Sequence, residues 1–149
     1  MTGSPDTAPP RIDSIEELAS LMRADGVVVQ VDAAHHRLQA ANNIAGENAP
    51  LFVEWNSAQG AAQVIQALPW RVAEDRLADA AVAMVRANHE SVLPAFGLNA
   101  SAGIAYCRGV IPLLGGASDV PVVRSLIATV TRIAREQGPA VAAAWRPSA

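Results

Sequence analysis

The chain has 149 residues, of which 51% are hydrophobic, 17% are charged and 4% are aromatic, and its formal net charge at pH 7 is −3. One globular domain is the default at this length, with a core that needs neither disulfides nor a structural metal. The negative charge argues against nucleic acid as a partner, because phosphate recognition needs a basic surface. No apolar run reaches the roughly 20 residues of a membrane span, so no membrane partner is expected.

The basic residues and the cysteine narrow the chemistry further. All eleven basic residues are arginines, which excludes a Schiff-base lysine, a phosphate-binding lysine and a serine–lysine pair. Cys107 is the single cysteine, which excludes an intrachain disulfide and fits a reducing compartment. The first ten residues are small, polar and proline-rich, unlike a signal peptide. We therefore predict a cytoplasmic protein with a flexible tail over 1–11, one domain over 12–146 and a second tail over 147–149.

The first predicted element is a helix over residues 14–24. Ser14 followed by Glu17 is a capping-box pattern, in which a hydroxyl and a carboxylate satisfy backbone amides at the helix start. The apolar residues that follow fall on one helical face. Gly26 is suited to the left-handed conformation that ends such a helix.

Four strands are predicted next. The β-branched run at 27–31 is typical of a strand buried on both faces. Residues 37–44 alternate weakly between apolar and polar, and residues 51–56 alternate clearly with the period of a strand. After a four-residue turn the alternation returns at 61–68. Together these segments predict an antiparallel meander.

The pattern then changes to a helical period over residues 73–90, where apolar residues recur at i, i+3, i+4, i+7 and i+8. Two more short strands are predicted at 96–98 and 104–113, around a turn of small residues. Pro112 places the end of the second strand at a sheet edge or a bulge, because proline cannot donate to a ladder.

A long helix is predicted at the end of the chain. Ser118 or Asp119 is suited to cap its start. Gly138–Pro139 is expected to stop or kink it, with a resumption before the chain ends. The complete order is α-β-β-β-β-α-β-β-α, which predicts an α+β fold with helices packed on a twisted antiparallel sheet.

Several short motifs of the second half occur together, in this order: Leu68-Pro69, Asn88-His89-Glu90, Phe96-Gly97-Leu98, Tyr106-Cys107-Arg108-Gly109-Val110-Ile111-Pro112-Leu113, Gly115-Gly116 and Trp145. This arrangement resembles the YbjN family of bacterial sensory transduction regulators, over about residues 12–146 and most strongly over 68–145. The resemblance implies an α+β fold similar to that of type III secretion chaperones. It also implies a non-enzymatic role in protein contact, often with dimerisation, and it carries over no catalytic residue.

The sequence gives weak support for a metal site or a reactive thiol. His35 and His36 are adjacent in a predicted turn, and His89 ends a helix, so converging metal ligands are not expected. Cys107 lies within a predicted strand, where burial makes it a small core residue and not an activated nucleophile. The Arg108 guanidinium is not expected to lower the pKa of the thiol, because neighbouring side chains on a strand point to opposite faces.

The sequence also gives little support for a phosphate-binding loop or a functional carboxylate pair. Gly115-Gly116 precedes a helix start, but the phosphate-loop pattern and every lysine are missing, so a turn with a helix cap is expected. Asp75 and Asp79 share a helix face, where a solvated helix start accounts for them. The sequence therefore predicts no catalytic, cofactor-binding or metal-binding residues.

Three of the six aromatic residues are tryptophans, a residue type enriched at protein interfaces. Trp70, between a strand and a helix, is predicted to be partly exposed, and Trp145 lies near the end of the chain. Both are interface candidates, with the alternative that they close the ends of the core. Leu126, Val130 and Ile133 are candidates for a self-associating helix face, and they equally fit the core.

These observations favour a protein-binding domain that is chaperone-like or regulatory and acts through surface recognition of a partner protein. The sheet face or an exposed strand edge is suited to an extended peptide, and a homodimer is also expected. Two alternatives stay open. One is a small-ligand or metal sensor, and the other is an enzyme whose site is assembled from scattered residues.

Overall fold

The structure is a computed structural model that describes residues 8–91 and 94–147. Most of the two predicted tails lies outside these residues, although Arg11 already forms part of a strand. The helices are α1 (Ile15–Ala24), α2 (Leu77–Glu90) and α3 (Val120–Ala142). The strands are β1 (Arg11–Ile12), β2 (Val29–Asp32), β3 (Arg37–Ala40), β4 (Asn43–Ile44), β5 (Glu47–Asn48), β6 (Leu51–Asn56), β7 (Ala61–Ala67), β8 (Ala95–Asn99), β9 (Ile104–Pro112) and β10 (Ser118–Asp119).

Six of the strands form one antiparallel sheet with the order β2-β3-β6-β7-β9-β8. The first four are consecutive in the sheet, which confirms the predicted meander. Val53 of β6 stands opposite both Leu38 of β3 and Val64 of β7. The short strands pair outside this sheet, β1 with β10 and β4 with β5, and the sequence pattern did not predict these pairings.

All three helices lie on the same face of the sheet. α1 packs on β2, β3 and β6, α3 packs on β7 and β9, and α2 packs on β8 and α3. Side chains that alternate toward this face are buried, and they form the core with the helices. The members contributed by the sheet include Leu38, Leu51, Val53, Trp55, Ala62, Val64, Phe96, Cys107 and Ile111.

The start of α1 follows the predicted cap. The backbone N–H of Glu17 donates to the Ser14 hydroxyl oxygen at 3.2 Å. The Glu17 carboxylate in turn accepts from the backbone N–H of Asp13 at 3.2 Å. Gly26 lies just beyond the helix with φ +83°, the left-handed conformation that the sequence predicts there.

Gln66 of β7 is fully buried and ties the sheet to the segment that follows the β4–β5 hairpin. Its amide nitrogen donates to the carbonyl oxygens of Ala49 and Ala67, each at 2.9 Å. Its amide oxygen accepts from the side chain of Asn42 at 2.8 Å. Asn42 also accepts from Arg135 of α3 at 2.7 Å, so one connected network links three parts of the fold.

The structure corrects the expectation that residues 27–31 form a strand buried on both faces. β2 is an edge strand, and the side chain of Val28 is 71% exposed. The run of valines is continuous because Val29 and Val31 face the helices, whereas Val28 faces away from them. The composition of the run therefore reports β propensity and not two-sided burial.

The structure also bears on two expectations about α3. The helix continues through Gly138 and Pro139 to Ala142, so the predicted stop is wrong, and the alternative of a kink stays a prediction. Asp119 occupies the N-cap position but makes no capping bond, because its carboxylate lies 3.4 Å from the Arg11 guanidinium. The α3 start is instead held by the backbone N–H of Val120, which donates to the Pro10 carbonyl oxygen at 2.8 Å.

Candidate protein-binding face

The second face of the sheet points away from the helices, and no described element packs on it. We call it the open face. Its members alternate with the core residues along each strand, and they are half-buried or exposed. The open face includes Val28, Gln30, Arg37, Gln39, Phe52, Glu54, Gln63, Ile65, Tyr106, Arg108 and Val110.

Three adjoining cavities form a groove along β3 on the open face. The first, of about 120 Å³, is lined at the rim by Val28, Asn48 and Pro50. It shares Gln30 and Gln39 with the second, of about 290 Å³. The second and third share Arg37, and the third encloses about 640 Å³ between the β2–β3 and β6–β7 turns. We call this continuous feature the β3 groove.

Five of the residues that line the β3 groove carry side-chain amides. They are Gln30, Gln39, Asn48, Asn56 and Gln63. A side-chain amide carries two N–H donors and a carbonyl acceptor, which is the same combination that a peptide backbone offers. The lining therefore offers hydrogen-bonding groups that complement those of a polypeptide backbone.

The centre of the groove contains an arginine stacked on an aromatic ring. The guanidinium carbon of Arg37 lies 4.4 Å from the centroid of the Phe52 ring, a cation–π contact. Arg37 Nε also lies 3.9 Å from the Glu54 carboxylate. Because these groups are about half exposed, the ion pair adds little stability. The arrangement instead presents an apolar ring edge and a charge pair at one place.

A second part of the open face lies on β9 and is more apolar. We call it the β9 patch, made up of Ile65, Tyr106, Arg108 and Val110. Ile65 of β7 stands directly opposite Arg108, and Val110 is 51% exposed. The Tyr106 ring lies against Gly97 of β8, where a Cβ atom would approach the ring to 2.6 Å. The glycine therefore allows the ring to cover the neighbouring strand.

The histidines lie at the β2–β3 turn, at one end of the β3 groove. His35 Nδ1 is 2.7 Å from an Asp32 carboxylate oxygen, and the backbone N–H of His35 donates to the other oxygen at 3.3 Å. The hydrogen bond to the His35 side chain lowers the pKa of Asp32 below its ordinary value. His36 adopts φ +49°. Within residues 8–91 and 94–147, no three His, Cys, Asp or Glu side chains gather as a metal site would require.

Cys107 lies at the centre of β9 and faces the helices. It is fully buried, and desolvation raises the pKa of its thiol to about 12. Such a thiol is protonated at neutral pH and is a poor nucleophile. Arg108 faces the opposite side of the sheet, as the alternation of the strand predicts.

The two tryptophan candidates pack together in the core. Trp70 is 8% exposed, which corrects the expectation of partial exposure, and Trp145 is 4% exposed. The indole N–H of Trp145 donates to the Trp70 carbonyl oxygen at 3.2 Å. The Arg146 guanidinium covers the Trp70 ring at 4.3 Å. Their surroundings match the alternative interpretation, in which these side chains close one end of the core.

The three helix candidates divide between core and surface. Val130 is fully buried and Ile133 is 9% exposed, so both belong to the core. Leu126 is half-buried and lines a shallow cavity of about 420 Å³ with the exposed Val122. Of the five predicted interface residues, Leu126 is the one whose side chain reaches the surface to a substantial extent. The self-association surface remains a prediction, now centred on Val122 and Leu126.

The sheet with helices on one face and an open second face defines a small α+β protein with a chaperone-like fold. A chain in the solved structure of the HopA1–SchA chaperone–effector complex matches it with a TM-score of 0.53 and 17% identity, over 79% of this chain and 88% of that chain. This similarity is one of fold, and it confirms the architecture that the sequence resemblance implied.

The chain belongs to the YbjN family, whose model, described as "Putative bacterial sensory transduction regulator", matches residues 14–142. The resemblance seen in the sequence is thereby confirmed. No curated protein sequence matches the chain. Among the described residues, no helix is long and apolar enough to cross a membrane. The family description fits a regulatory role.

Proposed function

We propose that this protein is a non-enzymatic binding domain whose open face holds an extended segment of a partner protein. The observation that carries the proposal is the β3 groove, an uncovered channel lined by five side-chain amides beside an exposed apolar patch. Chaperone-like shielding of the segment and regulation of the partner are both consistent with this mode of binding. A cytoplasmic location is part of the proposal.

The chemistry of the open face supports binding over catalysis. Its amides match the donors and acceptors of a peptide backbone, and Phe52, Ile65 and Val110 offer apolar contact. A recognition site of this kind gains specificity from alternate side chains of the bound segment. Cys107, the chain's one thiol, is buried with a raised pKa and faces the helices, away from this site.

Selection from a phage-displayed library of random twelve-residue peptides tests the proposal. Two variants form a matched pair because their side chains are both 51% exposed, Val110→Ser on the open face and Val82→Ser on α2. We expect selected peptides to bind the wild type and Val82→Ser equally. We expect binding to Val110→Ser to weaken by about threefold to tenfold, as the loss of one apolar contact predicts.

A second measurement locates the bound peptide independently of the substitutions. Hydrogen exchange of the complex should slow at backbone amides of the strands that carry the open face, β3, β6, β7 and β9. A library that enriches nothing on the folded protein would contradict the proposal. Selected peptides that lose affinity with Val82→Ser, and not with Val110→Ser, would place binding on the helical side and would also contradict it.

A further inference from the structure

The β9 patch contains a cation without a counter-ion among the described residues. Arg108 is exposed, and its closest polar contact is the Gln63 amide oxygen, 3.4 Å from Nη1. In the part of the chain that the structure describes, five arginines lie within 4.0 Å of a carboxylate, and Arg108 is the one arginine of the open face among the six that do not. The guanidinium is therefore available to a carboxylate from outside the chain.

The surroundings of Arg108 favour such a contact. Its neighbours across the strands are Ile65 and Ala95, and its neighbours on the same face of β9 are Tyr106 and Val110. Mostly apolar side chains lower the local dielectric constant and strengthen an ion pair relative to one in open water. A guanidinium can also hold a carboxylate with two parallel hydrogen bonds.

The Tyr106 ring provides an apolar contact beside Arg108. The ring is half-buried next to Gly97. Tyr106 and Arg108 stand two residues apart on one strand face, a spacing of about 7 Å. Val110 lies at the same spacing on the other side of Arg108.

We infer that the partner segment is acidic and extended, with the pattern apolar-x-Glu/Asp-x-apolar. Its carboxylate pairs with Arg108, and its two apolar side chains contact Tyr106 and Val110. The pattern follows from the register, because residues i and i+2 of an extended segment share a face with the same spacing as these three side chains. This inference rests on the proposed function and specifies the chemistry of the segment. It places the segment along β9, where the β9 patch adjoins the β3 groove through Gln63.

Three fluorescein-labelled twelve-residue peptides test this inference by fluorescence anisotropy. They carry the core sequence Leu-Thr-Glu-Thr-Phe, or the same core with Gln or Lys in place of Glu. We expect the wild type to bind the Glu peptide about fivefold more tightly than the Gln peptide, and the Lys peptide most weakly. The preference should shrink as salt concentration rises, because screening weakens the ion pair.

Substitutions of Arg108 test whether this residue causes the preference for the Glu peptide. Arg108→Gln should remove the difference between the Glu and Gln peptides, and Arg108→Glu should reverse the order so that the Lys peptide binds best. Arg86→Glu changes an exposed arginine on α2 and should leave the wild-type order unchanged. Circular dichroism of each variant confirms that it is folded, and Arg108→Gln serves if the charge reversal is unstable.

Each remaining outcome separates the two proposals. Equal binding of the three peptides overturns the acidic pattern and leaves the proposed function standing. Failure of all three to bind, when the random library does yield ligands, also overturns only the acidic pattern. Failure of both the three peptides and the library overturns the acidic pattern together with the proposed function.

Discussion

Gln66→Met tests whether the buried amide network stabilises the fold. Methionine fills a similar volume but cannot donate a hydrogen bond. The substitution therefore leaves the Ala49 and Ala67 carbonyl oxygens, each now 2.9 Å from the Gln66 amide nitrogen, without this donor. Asn42 is half-buried and can turn its amide to water, so the loss of its hydrogen bond to Gln66 should change the free energy of unfolding little.

The magnitude follows from the two carbonyl groups. A buried acceptor left without a partner costs about 1–3 kcal/mol, so two of them lower the free energy of unfolding by about 3 kcal/mol after partial relaxation. For a domain of this size, that loss lowers the melting temperature by roughly 10 °C. Urea unfolding, followed by circular dichroism and tryptophan fluorescence, measures the change directly.

Gln63→Met is the matched control on the same strand. Gln63 faces the open side and is half-buried, so its replacement should change the free energy of unfolding by less than about 0.5 kcal/mol. A Gln66→Met variant as stable as this control would refute the reasoning. It would mean that the Ala49 and Ala67 carbonyl groups find water or other donors at no cost.

Three further predictions concern other parts of the chain. Gly103→Ala should lower the free energy of unfolding by about 2–4 kcal/mol in urea titration, because φ is +64° and the new Cβ would lie 2.6 Å from the Val72 carbonyl oxygen. Asp32→Asn should lose stability relative to wild type at neutral pH. Because the Asp32 pKa is lowered from 3.8 in the folded state, this difference should disappear as pH falls through the lowered value. Val122→Asp should shift any dimer toward monomer in sedimentation velocity.

Each of these predictions has its own control. Gly26→Ala shares a positive φ of +83° but meets no atom within 4 Å, so it isolates the conformational cost of about 1 kcal/mol. An equal loss at Gly26 and Gly103 would refute the steric argument. His35→Ala should reduce the pH-dependent difference at Asp32, because the side-chain hydrogen bond is the largest cause of the lowered pKa and the backbone hydrogen bonds remain. An undiminished difference would show that the His35 side chain is not its source. Val85→Asp, on α2, should leave the sedimentation unchanged if the predicted α3 surface is the contact.

The sequence predicts most elements of this fold because local signals determine them. The capping box at Ser14 and the alternation along β6 are readable without tertiary contacts. Tertiary packing decides the rest. α3 passes through Gly138–Pro139 because residues on both sides of that pair, Ala134 and Val141, are buried in the core. Trp70 is buried because Trp145 and Arg146 contact it.

The candidate site was harder to predict, for a physical reason. Alternation separates the two faces of a strand but does not say which face the helices cover. Phe52 and Ile65 are as apolar as the core residues beside them, so the pattern alone does not mark them as surface. The usable signal was the row of glutamines at positions 30, 39 and 63, which fall on one face once the register is known.

Labelling of the buried Cys107 thiol can measure local unfolding of the sheet around it. The thiol lies between Gln66 of β7 and Phe96 of β8 in the register of the sheet and is fully buried. A thiol reagent can therefore react only in molecules that have opened this region, so the labelling rate at low denaturant reports the population of such molecules. Because the chain has no second cysteine, one mass increment would count each opening event, and a bound peptide that slows the labelling would reveal how far its stabilisation extends into the core.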